Sequence, residues 1–182
     1  MHQHQQRTRS RQTGFTLIES MVCLAMVGVT VGTALPSIQQ ASERRHLEGA
    51  AAQLATDIRQ ARSAAVALTA PVRLSFHQAS AGSCYLLHTG RTADCSCDPS
   101  AGAVCTNGAQ VIRSVAFPPS SEVQISSNSA SMLFEPHRGT VTPTASINLR
   151  LRNGPTLRQV VNIMGRARTC TPSVGMPAYL AC

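Results

Sequence analysis

Residues 14 to 36 have the sequence GFTLIESMVCLAMVGVTVGTALP, and this apolar stretch decides how the rest of the chain can fold. Glu19 is its single charged residue. A run of about 20 apolar residues forms a helix roughly 30 Å long, the hydrocarbon thickness of a bilayer. The preceding residues carry three arginines and no acid, so the positive-inside rule keeps that end in the cytoplasm. We therefore expect one membrane-spanning segment, with everything after Pro36 outside the cytoplasm.

Two kinds of N-terminal segment share these features. A cleavable signal peptide also has basic residues before an apolar run, and the small residues at positions 32 to 34 suit its cleavage site. However, the run here is longer than the apolar part of most signal peptides. It also carries Glu19, whose carboxylate is costly in lipid and usually marks a function there. Both observations favour a retained segment.

The six residues GFTLIE at positions 14 to 19 resemble the processing site of type IV pilins and pseudopilins. The resemblance implies that prepilin peptidase cleaves between Gly14 and Phe15 and that Phe15 is then N-methylated. It also implies that the carboxylate of Glu19 pairs with the N-terminal amine of a neighbouring subunit during filament assembly, which offsets its burial. The expected partners are therefore prepilin peptidase, the other pilins of the filament and, before assembly, the inner membrane.

The location follows from the same resemblance. We expect a bacterial inner-membrane protein that crosses once, holds its domain in the periplasm and is assembled into a pilus at the cell surface.

A periodic apolar stripe resumes directly after Pro36, so this proline should kink the helix without ending it. The stripe consists of Leu47, Ala51, Leu54, Ile58, Ala61, Ala65 and Leu68. Its small side chains favour packing on a sheet of the same chain, although a coiled-coil partner would use a similar spacing. Pro71 ends the helix. The predicted segments are a leader at 1–14, a membrane or filament-core half-helix at 15–36, an amphipathic half-helix at 37–70 and a β-rich domain at 71–182.

Short strands are predicted after residue 71, where the apolar pattern changes period. They lie at 72–76, 84–87, 110–117, 122–125, 131–134, 147–152 and 157–164. The stretch from 93 to 108 is rich in Cys, Gly, Ser and Pro and is predicted to be a loop. A long helix followed by six or seven strands predicts an α+β fold of the type IV pilin kind, with the helix packed on antiparallel sheet.

Six cysteines lie beyond the apolar helix: Cys84, Cys95, Cys97, Cys105, Cys170 and Cys182. An even number in an oxidising compartment predicts disulfides. The clustered cysteines also raise the possibility of a zinc site, but there is no C-x-x-C pair and no histidine at ligand spacing, so we expect no metal or other cofactor. The sequence leaves the pairing of the first four cysteines open. Similarity to the C-terminal loop of pilins implies that Cys170 pairs with Cys182.

The distribution of charge suggests a polyanionic partner. All 16 basic side chains are arginine, and no acid follows Glu135. Six arginines occupy that acid-free part: Arg138, Arg150, Arg152, Arg158, Arg166 and Arg168. Such asymmetry favours an anionic ligand, although a single surface arginine is more often simply solvated.

Two parts of the C-terminal half resemble the GspH/FimT family, which includes minor pseudopilin H of type II secretion and the minor pilin FimT of type IV pili. They are FEPHRGT at 134 to 140 and GRARTC at 165 to 170. FimT-type proteins that capture DNA for natural transformation carry a Gly-Arg-x-Arg motif here. The resemblance implies that Gly165, Arg166 and Arg168 bind DNA.

The spacing of this motif has a physical reason. In an extended segment, side chains at i and i+2 point the same way and lie about 6.5 to 7 Å apart, close to the step between phosphates on one strand. Arg166 and Arg168 can then each hold a phosphate through two hydrogen bonds. Gly165 would let the backbone turn and approach the ligand. Three further arginines are candidates to extend the contact: Arg150, Arg152 and Arg158.

Two function classes remain from the sequence. The first is a FimT-like minor pilin that binds DNA weakly and without sequence preference, through its phosphates. The second is a structural subunit, either a minor pilin or a type II secretion pseudopilin, in which the two motif arginines form a solvated strand edge. An enzyme is not expected, because the chain has no paired carboxylates, nucleophile elbow or nucleotide-binding loop.

Overall fold

The computed structural model describes residues 16–80, 82–172 and 176–182. The expected processing site, Gly14 and Phe15, lies outside the described residues. The chain divides into two compact units, residues 1–40 and residues 41–182. One helix, α1 (Leu17–Leu68), begins in the first unit, continues through position 36 and ends in the second.

In the first unit, α1 presents its apolar side chains to the outside. Leu17, Leu24 and Val29 are among the exposed apolar residues. Thr16 lies just before the helix, and its Oγ1 accepts a hydrogen bond from the backbone N–H of Glu19 at 3.3 Å, as an N-cap residue does. The helix is long and apolar enough to cross a membrane.

The described residues form eleven strands, and all of them lie in the second unit. They are β1 (Val72–Ala79), β2 (Gly82–Thr89), β3 (Cys95–Asp98), β4 (Gly102–Cys105), β5 (Val111–Phe117), β6 (Val123–Ser127), β7 (Ser131–Phe134), β8 (Val141–Thr142), β9 (Ala145–Leu151), β10 (Thr156–Val161) and β11 (Ala167–Cys170). A short 3₁₀ helix occupies Thr92–Asp94.

The strands form two main antiparallel sheets and one small hairpin. The first sheet has the order β5-β2-β1-β7-β8, and the second has the order β11-β10-β9-β6. Among the described strands, β3 and β4 form a separate two-stranded sheet. The α+β class expected from the sequence, with a long helix and antiparallel sheets, is confirmed.

One hydrophobic core joins α1 to both main sheets. The helix contributes Leu47, Leu54 and Ile58, which are fully buried, and the sheets contribute residues such as Tyr85 and Leu149. Leu68, predicted to continue the apolar stripe, is 52% exposed because α1 ends there and the chain turns into β1. Every buried core residue of the described chain lies between positions 47 and 176, so the unit 41–182 contains its whole core and can fold without the apolar segment.

The prediction of a loop at 93 to 108 is wrong. This stretch contains the 3₁₀ helix and the hairpin β3–β4, in which Cys95 pairs with Cys105. A disulfide joins these two residues, and a second one joins Cys97 to Cys84 of β2. The two cross-links stabilise a hairpin whose Gly- and Ser-rich composition does not favour strands by itself. Strands β8 and β11 were also absent from the sequence prediction.

A buried carboxylate connects α1 to the first sheet. Asp57 is 1% exposed and accepts hydrogen bonds from Tyr85 Oη at 2.7 Å and from Gln53 Nε2 at 3.0 Å. The Nε of Arg113, on β5, lies 2.9 Å from Asp57 Oδ1. Burial and the neighbouring Asp57 carboxylate raise the pKa of Tyr85 well above its usual value. The charge of Asp57 is therefore both paired and hydrogen-bonded, as burial requires.

Candidate nucleic-acid interface

The turn between β10 and β11 holds the Gly-Arg-x-Arg motif in one conformation. The side-chain Oδ1 of Asn162 accepts hydrogen bonds from the N–H of Met164 at 3.1 Å and of Arg166 at 3.0 Å. The Gly165 N–H donates to the Asn162 carbonyl at 2.9 Å, and the Asn162 N–H donates to the Arg166 carbonyl at 3.1 Å. Because a single asparagine closes the turn, the backbone of Arg166 is positioned before any ligand arrives.

Gly165 lies in the turn expected from the sequence and also packs closely against its neighbours. Its φ is +69°, in the left-handed region that glycine adopts most easily. The residue is buried, and a Cβ at this position would lie 3.2 Å from Val141 Cγ2 and 3.5 Å from Arg62 Cδ. The motif glycine therefore allows the turn to pack against β8 and α1.

Arg62, on α1, belongs to the same site and was missed by the sequence analysis. Its side chain also passes close to Gly139, where a Cβ would lie 2.8 Å from Arg62 Nε. Gly139 has a φ of +61°. Close to it, the Val141 N–H donates a hydrogen bond to the Ile163 carbonyl at 2.8 Å, and this bond connects the two main sheets. Arg62 is off the apolar stripe of its helix, and no sequence signal connects it with a turn about 100 residues later.

Arg166 and Arg168 point away from the core. Strand alternation places Ala167 and Thr169 on the inner face, where Thr169 Oγ1 accepts a hydrogen bond from Gln159 Nε2 at 2.8 Å. Both arginines are exposed. Within the part of the chain that the structure describes, neither side chain has a hydrogen bond or an ion pair. Two exposed guanidinium groups are thus available to an external anion.

Arg158 lies on the same outer face as the motif arginines. On β10 it is opposite Cys170, and the next outward residue, Val160, is opposite Arg168. Arg158 Nε donates to Asn148 Oδ1 at 2.8 Å across to β9, which orients the side chain along the sheet. The structure therefore groups Arg158 with the motif.

The other two candidate arginines differ from each other. Arg150 is exposed on β9, opposite Thr156, and belongs to the same outer face. Arg152 follows β9 and donates to the backbone carbonyls of Pro119 and Ser121, so it holds the connection between β5 and β6. Arg152 is therefore less available to a ligand than Arg150.

The strands of this face carry basic side chains, and the exposed acid Glu122 lies just before β6, beside Arg152. The strands β6, β9, β10 and β11 contain no acidic residue, whereas they contribute Arg150, Arg158 and Arg168. A polar cavity of about 370 Å³ lies at the β6 edge, lined in part by Gln124 and Arg150. Among the described residues, no group of three or more His, Cys, Asp or Glu side chains is arranged to hold a metal ion. The arrangement therefore offers a set of cationic groups, each able to donate several hydrogen bonds.

A disulfide closes the C-terminal segment beside these arginines. Cys170, the last residue of β11, is bonded to Cys182, the pair that the pilin resemblance implies. The Thr171 N–H donates to the Leu180 carbonyl at 2.9 Å, and the Cys182 N–H donates to the Thr171 carbonyl at 3.1 Å. The end of β11 is therefore anchored by the disulfide at Cys170 and by two backbone hydrogen bonds at Thr171.

Comparison with known proteins gives a consistent result. A family model described as type II transport protein GspH matches residues 50–165, and one described as the prokaryotic N-terminal methylation motif matches residues 9–35. The first match ends at Gly165, so Arg166 and Arg168 lie beyond it. The pilin-like protein PilA1 of Thermus thermophilus is 31% identical over 157 residues, which cover 85% of this chain and 96% of that protein.

A solved structure has the same fold. The crystal structure of the type IV minor pilin FimU from Pseudomonas aeruginosa matches with a TM-score of 0.50, covering 69% of this chain and 89% of that one at 16% identity. The methylation motif and the apolar helix indicate a membrane-anchored pilin. Since the GspH model matches more than half of the chain, this protein belongs to the GspH family of type IV pilin-like proteins.

Proposed function

We propose that this protein is a FimT-like minor type IV pilin that binds extracellular DNA through Arg166 and Arg168 during natural transformation. The observation that carries the proposal is the pair of exposed, unengaged arginines at i and i+2 on the outer face of a sheet without acids. Arg158 and Arg150 extend the contact along that face.

The binding energy comes mainly from phosphates. Residues at i and i+2 of an extended segment are about 6.5 to 7 Å apart along the backbone, close to the step between successive phosphates of one strand, and each guanidinium group can donate two hydrogen bonds. The turn that carries them is already closed by Asn162, so little backbone ordering opposes binding. Contacts of this kind carry no sequence information, so binding is non-specific and strongly salt-dependent.

The N-terminal features complete the proposal. Prepilin peptidase cleaves between Gly14 and Phe15, Phe15 is methylated, and the Glu19 carboxylate pairs with a neighbouring subunit's amine in the filament. The domain faces the periplasm before assembly and the cell exterior afterwards. Many copies or repeated contacts along one filament would raise the effective affinity of a weak site.

A structural subunit remains the second candidate function. It is favoured by one specific observation, that the match to the GspH family model ends before Arg166 and Arg168. In that case the protein takes part in filament assembly, in a pilus or in type II secretion, without contacting DNA.

The experiment uses the unit 41–182, oxidised, and a fluorescently labelled 30-base-pair duplex whose anisotropy is measured at several salt concentrations. The test variant is Arg166→Gln with Arg168→Gln. The matched control is Arg44→Gln with Arg45→Gln, which removes two exposed charges from α1.

We expect the parent and the control to bind. The test variant should lose most of its affinity, and the slope of log K against log salt should fall by roughly 0.9 for each lost phosphate contact. If the parent does not bind at low salt, or if both double variants weaken binding equally, the structural-subunit function replaces DNA binding.

A further inference from the structure

The turn that carries the motif also exposes two consecutive apolar side chains. Ile163 is 58% exposed and Met164 is 49% exposed, immediately before Gly165 and Arg166. Turns normally hold Gly, Asn, Asp or Ser at such positions, and exposed isoleucine and methionine bring no benefit in water. Their position one and two residues before the motif suggests a role in binding.

These side chains cannot simply fold back into the protein, because their backbone is held. The Ile163 carbonyl accepts the Val141 N–H at 2.8 Å, and the Met164 N–H donates to Asn162 Oδ1 at 3.1 Å. Gly165 behind them is buried against Val141. The structure therefore presents a rigid apolar tip, which we define as Ile163 and Met164.

We propose that the apolar tip contacts the bases of the same DNA strand whose phosphates Arg166 and Arg168 hold. This inference rests on the proposed function and adds how the bases are engaged. Proteins that bind DNA without reading its sequence frequently insert Ile or Met between base steps, at the cost of partial unstacking. Since only one residue separates Met164 from Arg166, a nucleotide held by Arg166 has its base within reach of the tip.

A consequence is a preference among DNA forms. Unstacking costs least in single strands and at mismatches, so these should bind more tightly than an intact duplex. Aromatic platforms, the usual way to hold single strands, are scarce in this chain, which contains no Trp, two Tyr and four Phe. In this chain the aliphatic side chains of the apolar tip would contact the bases instead of aromatic rings.

The charge of the surroundings favours DNA over other occupants. The tip lies beside arginines on a face whose strands contain no acid, which repels other basic surfaces. A second copy of this chain is itself basic, with a formal charge of +8, and is therefore a poor electrostatic match. A strand of nucleic acid offers both the anionic backbone and the apolar base faces.

The experiment compares the unit 41–182 with a double variant, Ile163→Thr with Met164→Gln. These changes keep the approximate size of two exposed side chains and leave the backbone hydrogen bonds of the turn in place. The matched control is Val104→Thr, which alters a side chain that is 62% exposed on the separate β3–β4 hairpin. The probes are a labelled 30-nucleotide single strand, its matched duplex, and a duplex with two mismatches flanking a 2-aminopurine.

We expect the parent to prefer the single strand and the mismatched duplex and to change the 2-aminopurine fluorescence on binding. Each lost apolar contact should weaken single-strand binding about threefold, and the double variant about tenfold. The salt slope should stay at the parent value, because no phosphate contact is removed. The control should match the parent.

The outcomes separate the two proposals. If the parent binds DNA through its arginines but the double variant binds all three probes equally well, the apolar tip does not contact bases and this inference is overturned. It is also overturned if the 2-aminopurine signal is unaffected, or if the variant impairs pilus assembly in cells while DNA binding is unchanged, which would indicate a protein partner. If the parent binds no probe at all, the proposed function fails first.

Discussion

Replacing Gly165 by alanine should destabilise the domain through two separable effects. The residue has a φ of +69°, and an L-residue in the left-handed region costs about 1 to 2 kcal/mol. Alanine offsets about 0.5 to 1 kcal/mol of this cost, because it lowers the conformational entropy of the unfolded chain relative to glycine. The added Cβ would also lie 3.2 Å from Cγ2 of Val141, which is 1% exposed and has little room to move. Tight insertion of a methyl group into a packed site costs a further 1 kcal/mol or so.

The net loss in the free energy of unfolding should be about 2 kcal/mol. For a unit of this size that corresponds to a decrease in Tm of about 7 °C. The matched control is Gly108→Ala. Gly108 has a φ of +73°, and beyond its chain neighbours no atom of the described residues lies within 4 Å of the added Cβ. The control should lose only the backbone part, about 3 °C.

The assay is thermal unfolding of the oxidised unit 41–182, followed by circular dichroism, for the parent and both variants. A Gly165→Ala variant that is no less stable than Gly108→Ala would refute the packing role of Gly165. Arg166→Gln, measured alongside, should leave Tm within about 1 °C of the parent, since its side chain is exposed.

Two further predictions concern buried polar groups. Asp57→Asn should lower the free energy of unfolding by about 2 to 3 kcal/mol in urea titrations, because it removes a buried charge that pairs with Arg113. The loss is no larger because the Arg113 side chain is 40% exposed and stays partly hydrated. The control Arg59→Gln removes an exposed charge from the same helix and should change the free energy of unfolding by less than about 0.5 kcal/mol; equal effects of the two variants would contradict the buried pair. His88 is fully buried, and burial lowers its pKa from 6.5. Its contribution to stability is therefore complete above pH 6.5. Below pH 6.5 that contribution declines, because the unfolded chain takes up a proton before the folded chain does. Between pH 7 and pH 5, urea titrations should show a smaller loss of stability for His88→Gln than for the parent. The control His46→Gln replaces an exposed histidine and should behave as the parent does. If stability falls with pH equally in the parent and both variants, other groups cause the pH dependence.

Several features of the fold could be predicted from local sequence. The apolar run and the basic residues before it predict a membrane segment, because both depend only on composition and order. The stripe from Leu47 to Ala65 is buried as its helical period requires. Most strands were also found, with boundaries shifted by a few residues, because apolar alternation shows which residues face the core but not where a ladder ends.

Other features depended on contacts between distant residues. The hairpin at Cys95 to Cys105 was predicted to be a loop, because its stability comes from cross-links that local composition does not reveal. Likewise, Arg152 and Arg158 look equivalent in the sequence. In the structure, Arg158 faces outward beside the motif, whereas Arg152 donates to the carbonyls of Pro119 and Ser121.

The sequence by itself determined the α+β class and the apolar segment, because these depend on hydrophobic period and length, and the resemblance of a short motif to a known family pointed to Arg166 and Arg168. Only the tertiary structure decided that Val141 packs against Gly165 and that the side chain of Arg62, on α1, lies beside the motif. It also decided that the outer face carries no acid across its four strands. The physical reason is that packing and electrostatic fields depend on distances in space, and strand order and register bring together residues that are far apart in the chain.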